Sequence, residues 1–117
     1  MQGEAPVVTL VNAMLLSAAR KKATEIWVRH DDAGEPLVSF KIDDAWKDEM
    51  RPPAVLHAPL VRRLAVMASL PSYGPDDYAQ GTIVLVVGEA RRLAFDIRVR
   101  GHGDQLEALL RPHAPNR

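Results

Sequence analysis

Nucleotide hydrolysis requires a glycine-rich phosphate cradle closed by a lysine, and no Gly-x-x-x-x-Gly-Lys-Ser/Thr run occurs in this chain. Its one Gly-x-Gly, Gly101-His102-Gly103, lacks the following helix of adequate length that a dinucleotide turn needs. Metal binding requires ligands at convergent spacing. The four histidines, His30, His57, His102 and His113, are scattered, with no His-x-x-x-His and no acidic residue at helical offset. Acyl transfer needs a nucleophile, a base and an oxyanion hole. Ser17 lies among alanines in a helical stretch and Ser39 in mid-strand, neither beside a base. Asp43-Asp44 sits between two strands, where carboxylates cap a turn more often than they transfer protons. Trp27 and Trp46 have the faces to stack a base, but such residues more often cover sheet surface or sit at a contact. These residues imply no catalytic site, no metal and no cofactor, so the chain is expected not to be an enzyme.

Composition narrows the partner instead. The 117 residues suffice for one core and not for two. Fifteen basic and fifteen acidic residues cancel, which argues against wrapping nucleic acid. The absence of cysteine excludes disulfides, a thiol nucleophile and thiolate zinc sites. There is no secretory signal and no apolar run near the roughly 20 residues a membrane helix needs, so a cytoplasmic protein without direct membrane insertion is expected. Charge is nevertheless segregated. Asp31–Met50 holds seven acids against Lys41 and Lys47, whereas Arg20–Lys22, Arg62-Arg63, Arg91-Arg92 and Arg98–Arg100 are basic. A two-signed surface suits docking to another protein, although any one cluster also fits an ordinary solvated face.

The elements that must position these residues follow from periodicity. Val7, Val11, Met14, Leu15 and Ala18 recur at helical steps, predicting a helix over Pro6–Lys22. A second helix is predicted from about Pro59 to Leu70, with Leu60, Leu64 and Met67 inward and Val61 and Ala68 beside them. Strands are expected at Glu25–His30, Leu37–Ile42 and Ala45–Met50, with Asp43-Asp44 as a tight turn. The apolar run Thr82–Val87 reads as a central strand or one buried on both faces. Leu93, Phe95, Ile97 and Val99 alternate with polar residues, so Arg92, Asp96, Arg98 and Arg100 share the opposite face. Gln105–Leu110 fits a strand or a short helix. Ser72–Asp77 reads as a loop. The class is therefore α+β: a mainly antiparallel sheet with two helices packed on one face, in the order α-β-β-β-α-β-β, with or without a last β. Residues 1–111 are expected to form one domain and 112–117 a disordered tail.

Laid end to end, the chain resembles the PAS-like domain that precedes the motor of the type II secretion and type IV pilus-assembly traffic ATPases, the GspE/PilB type. Pro6-Val-Val-Thr-Leu-Val-Asn12 resembles the family's opening helix, and Ala23-Thr-Glu-Ile-Trp-Val28 its Ala-Ser-Asp-Ile-His-Ile strand. Phe40-Lys-Ile-Asp43 is similar to the Arg-Ile-Asp-Gly hairpin. Leu56-His57-Ala58 and Leu60–Ala68, after Pro52-Pro53, resemble the second helix. Gln80-Gly81-Thr82-Ile83 and Phe95-Asp-Ile-Arg-Val99 resemble the last paired strands. The departures are Glu25-Ile-Trp-Val-Arg-His30 for the family's Asp-Ile-His-Ile-Glu-Pro, Asp44 in place of the family's glycine, Gln80-Gly81-Thr82 for a longer Gln-Asp-Gly-Arg stretch, and Arg100-Gly-His-Gly103 where the family continues into a linker and motor. The resemblance thus implies a stand-alone relative without the motor, or a fragment.

It also implies where the chain works. In the motors, arginines on these strands approach nucleotide held by the ATPase domain, and Lys41 and Arg98 match those positions. The expected function is a non-catalytic interaction or regulatory module that docks on a protein, a secretion or pilus ATPase or its associated machinery, through Lys41, Arg98, Arg100 and Trp27. The alternative is a PAS-like small-ligand sensor with a pocket lined by Val38, Phe40, Ile97 and Met67.

Overall fold

A computed structural model describes residues 4–70, 78–89, 91–103 and 105–113. The expected loop over Ser72–Asp77 and the tail residues 114–117 lie outside the described residues. The elements run α1 (Glu4–Arg20), β1 (Glu25–His30), β2 (Pro36–Ile42), β3 (Ala45–Met50), α2 (Ala54–Met67), β4 (Ala79–Val87), β5 (Arg91–His102) and β6 (Gln105–Pro112). The six strands form one sheet in the order β3-β2-β1-β6-β5-β4, antiparallel at every junction. The class is α+β, in the order expected, with Gln105–Leu110 resolved as strand.

One face of the sheet is covered. Ile26 and Val28 of β1, Val38 and Phe40 of β2, Leu106, Ala108 and Leu110 of β6, Phe95, Ile97 and Val99 of β5 and Ile83 of β4 all belong to the buried core. Registers such as Phe40↔Ile26, Ile26↔Leu110 and Leu110↔Ile97 put them on the same side. The α1 stripe Val7, Val11, Met14, Leu15 and Ala18 closes over them, together with Leu60, Val61, Leu64 and Ala65 of α2. A sensor pocket between helices and sheet has no room at Val38, Phe40 and Ile97, which are at most 2% exposed and part of that packed cluster.

The turns obey local chemistry. In the β2–β3 hairpin Ile42 pairs with Ala45, and Asp43 and Asp44 both take positive φ, 54° and 66°. Two left-handed residues in a two-residue loop match the twist of the flanking strands, and aspartate tolerates that region better than most side chains. Asp44 therefore occupies a glycine's place without glycine. Gly101, at φ 112°, belongs to the β5–β6 hairpin, where His102 pairs with Gln105; a Cβ there collides with the Gln105 carbonyl.

Four expectations are corrected. Helix α2 begins at Ala54, after Pro53, rather than at Pro59. Pro59 lies inside it; its missing N–H frees the Val55 carbonyl, and Val55 is 79% exposed, where solvent accepts the cost. Met67, the last residue of α2, is only partly buried. Strand β4 is an edge strand with one face open: Val84 and Val86 are 49% and 59% exposed. Its unbroken apolar run hides a period-two pattern, because valine occupies both faces. Finally, β6 runs through Pro112, and the His113 N–H donates to the Ala94 carbonyl at 2.8 Å, so these two residues of the expected tail extend the sheet.

Candidate docking face

The face that no helix covers among the described residues gathers what the alternation displaces from the core. Glu25, Trp27 and Arg29 of β1 stand beside Ser39 and Lys41 of β2 and Trp46 and Asp48 of β3. On the other side stand Glu107, Leu109 and Arg111 of β6, Asp96, Arg98 and Arg100 of β5, and Gln80 and Thr82 of β4. All four residues singled out from sequence, Trp27, Lys41, Arg98 and Arg100, share this face.

Glu107 organises its centre. One carboxylate oxygen accepts from the Trp27 indole Nε1 at 2.7 Å and the other from Arg100 Nε at 3.0 Å. That hydrogen bond and the carboxylate charge, with Tyr78 adding to them, raise the Arg100 pKa above its ordinary value, so Arg100 stays cationic. The Arg100 guanidinium lies 4.6 Å from the Tyr78 ring centroid, and Arg98 lies 6.0 Å from the same ring. Trp27 is held on three sides: by Glu107, by the Arg29 guanidinium 4.2 Å from its ring centroid, and by Trp46 at 5.6 Å between centroids. Trp27 is thus half-buried and built into the sheet, while Trp46, 41% exposed, presents the accessible indole.

Glu25 organises a second group. Its carboxylate lies 3.7 Å from Lys41 Nζ and 3.8 Å from Arg111 Nη2. Lys41 also approaches the Trp46 ring, 6.0 Å from its centroid. Arg98 differs from these cations: it is exposed and makes no ion pair among the described residues. It borders a shallow cleft of about 180 Å³ with Gln80, Asp96, Leu109 and Arg111. Lys41 and Arg98 are three strand spacings apart, about 15 Å, so no small group bridges them and an extended surface is required to touch both. The face offers recognition: a guanidinium without an ion pair among the described residues, a second arginine over the tyrosine ring, and an exposed indole.

Sequence reasoning missed Glu107, Glu25 and Tyr78. The signal for Glu107 was present, since Gln105, Glu107, Leu109 and Arg111 alternate with Leu106, Ala108 and Leu110 at the period of a strand. The scattered histidines also converge in part. His30 and His57 lie in contact, ring centroids 4.1 Å apart and planes tilted by 47°, and buried His57 places Nε2 2.6 Å from the Leu106 carbonyl, tying α2 to β6. Among the described residues no group of three or more potential metal ligands forms.

Residues 1–100 match the family described as type II/IV secretion system protein. The chain belongs to that family. Over 109 residues, 90% of its length, it is 34% identical to the type II secretion system protein HxcR of Pseudomonas aeruginosa. It is 34% identical over 82% of its length to the type IV pilus assembly ATPase PilB of Myxococcus xanthus. It is 33% identical over 84% of its length to the type II secretion system protein E of Dickeya dadantii. The match covers 22%, 17% and 19% of those relatives, so the chain spans about a fifth of their length. It is related to the N-terminal region of these proteins. Among the described residues no helix is long and apolar enough to cross a membrane.

Proposed function

We propose that the chain is one PAS-like module, and a non-catalytic docking module of the bacterial secretion or pilus machinery, working in the cytoplasm. Its open sheet face grips a carboxylate-bearing surface of a partner protein, a secretion or pilus ATPase or a component associated with one. The observation that carries this reading is the company Arg98 keeps. Glu107 pairs with Arg100, and Glu25 is shared by Lys41 and Arg111. Arg98 stands among them exposed and without an acid among the described residues. A planar guanidinium in that position suits a bidentate carboxylate from outside. Tyr78 lies beside it, and Trp46, farther along the same face on β3, adds exposed aromatic surface of the kind that anchors interfaces.

The immobilised chain should capture such an ATPase from a mixture of the machinery's purified components. Reversing one charge at a complementary interface costs several kcal/mol, so Arg98→Glu should abolish capture while leaving the melting temperature nearly unchanged. Arg98 is the cleaner target than Arg100, whose reversal would set two carboxylates side by side with Glu107. Capture by Arg98→Glu equal to that of the unmodified chain would overturn the reading.

A further inference from the structure

The two edges of the sheet are built differently. Edge strand β3 carries Lys47, Asp48 and Glu49, and its register with β2 shifts between Val38 and Ser39. Pro52 and Pro53 follow it closely. Charge, irregular register and proline are the devices that stop an edge from accepting another strand. Edge strand β4 has none of them. Its nine residues, Ala79–Val87, pair in unbroken register with β5, and none is charged or proline. Among the described residues no other strand pairs with β4. Val84 and Val86 are exposed on the open face, and Leu85 and Val87 are half-buried on the helix-covered side.

We propose that β4 is the surface through which two copies of this chain associate, antiparallel and edge to edge, continuing the sheet from one copy into the other. The occupant is a second copy because β4 complements itself. A strand without charge meets no like charge in its twin, and it offers an acidic or basic partner nothing to pair with. A two-fold axis through Leu85 sets Val84 beside Val86 of the second copy, Leu85 beside Leu85, and Ile83 beside Val87. Every apolar position from 83 to 87 then faces an apolar one, and Thr82 falls opposite Gly88. Residues paired in this way share a face, so both helix layers lie on one side of the joined sheet and both copies keep Arg98 accessible. The proposal is independent of the docking reading.

Sedimentation velocity of the whole chain over a wide concentration range tests it. The chain should pass from monomer to dimer as concentration rises. Val84→Lys with Val86→Lys should weaken the dimer about tenfold or more, since the two-fold sets lysine beside lysine twice. The circular dichroism melt of that variant should stay close to that of the unmodified chain. Lys47→Ala, on the β3 edge, should leave the dimer constant unchanged. In the unmodified chain, amides of residues 79–87 should exchange more slowly at high concentration and those of 45–50 should not. A chain that stays monomeric throughout, a dimer indifferent to both lysines, or concentration-dependent protection on β3 instead of β4 would overturn the proposal.

Discussion

Replacing Glu107 by alanine should loosen the sheet at its weakest seam. The strands fall into two halves, β3-β2-β1 and β6-β5-β4, joined where β1 meets β6. That junction has three register pairs, Ile26↔Leu110, Trp27↔Leu109 and Val28↔Ala108, against eight between β5 and β6. Glu107 crosses it diagonally to the Trp27 indole at 2.7 Å. A hydrogen bond to a charged acceptor contributes about 1.5–3 kcal/mol when fully desolvated, and this part-buried one should contribute about 1 kcal/mol. For a domain of this size that lowers the melting temperature by about 3–6 °C. Glu107→Gln keeps a carbonyl for the indole but gives up the charge and the hydrogen bond from Arg100, so it should still cost less than alanine. Circular dichroism melts of the three proteins measure this. Glu107→Ala melting within a degree of the unmodified chain, or Glu107→Gln falling as far as alanine, would refute the idea that this carboxylate stitches the seam through Trp27.

Other substitutions test the rest of the framework. Leu64→Ala, at a fully buried position of α2, should destabilise the fold by about 2–5 kcal/mol, read from urea denaturation. Gly101→Ala should prevent stable folding, because the left-handed backbone and the Gln105 carbonyl leave no place for a Cβ; soluble yield and melting report it. Asp31 accepts from the Glu35 and Ala33 N–H groups and from Arg51, and the Glu35 bond followed by Arg51 holds its pKa below the ordinary carboxylate value. With the folded pKa depressed, its stabilisation is present above the unfolded pKa, about 3.9, and is lost as pH falls through the folded value. Asp31→Asn should therefore flatten the acid limb of a plot of urea midpoint against pH below about 4 and leave its shape at neutral pH unchanged.

Local pattern made much of this molecule readable. The α1 stripe, the β2–β3 turn and the β5 alternation each depend on neighbours a few residues apart, and each appears where periodicity puts it. Long-range placement is where reading stops. Nothing local says that β6 inserts between β1 and β5, yet that insertion brings Glu107 to Trp27 across 80 residues of chain. It also explains why Trp27, on an internal strand, is locked, while Trp46, on the β3 edge, is accessible, although both sit in six-residue strands. β4 was misplaced because valine on both faces looks alike whether the second face is buried or open. The start of α2 was displaced because proline suits a first turn and is tolerated in a later one when the freed carbonyl faces solvent. For the candidate site, alternation alone puts Arg98 and Arg100 on one face. Their different states, one paired with Glu107 and the other free of ion pairs among the described residues, depend on which strand lies alongside.

The central claim is that a partner sits on the open sheet face, and site-specific photo-crosslinking tests it most directly. A photoreactive side chain at Gln80, exposed beside Arg98 in the β4–β5 register, reports on that face, and one at Val66, 65% exposed on α2, reports on the helix layer. With a secretion or pilus ATPase as partner, irradiation should give an adduct from position 80 that disappears with Arg98→Glu, and little or none from position 66. A strong adduct from position 66 with none from position 80 would contradict the account and place the partner on the helices.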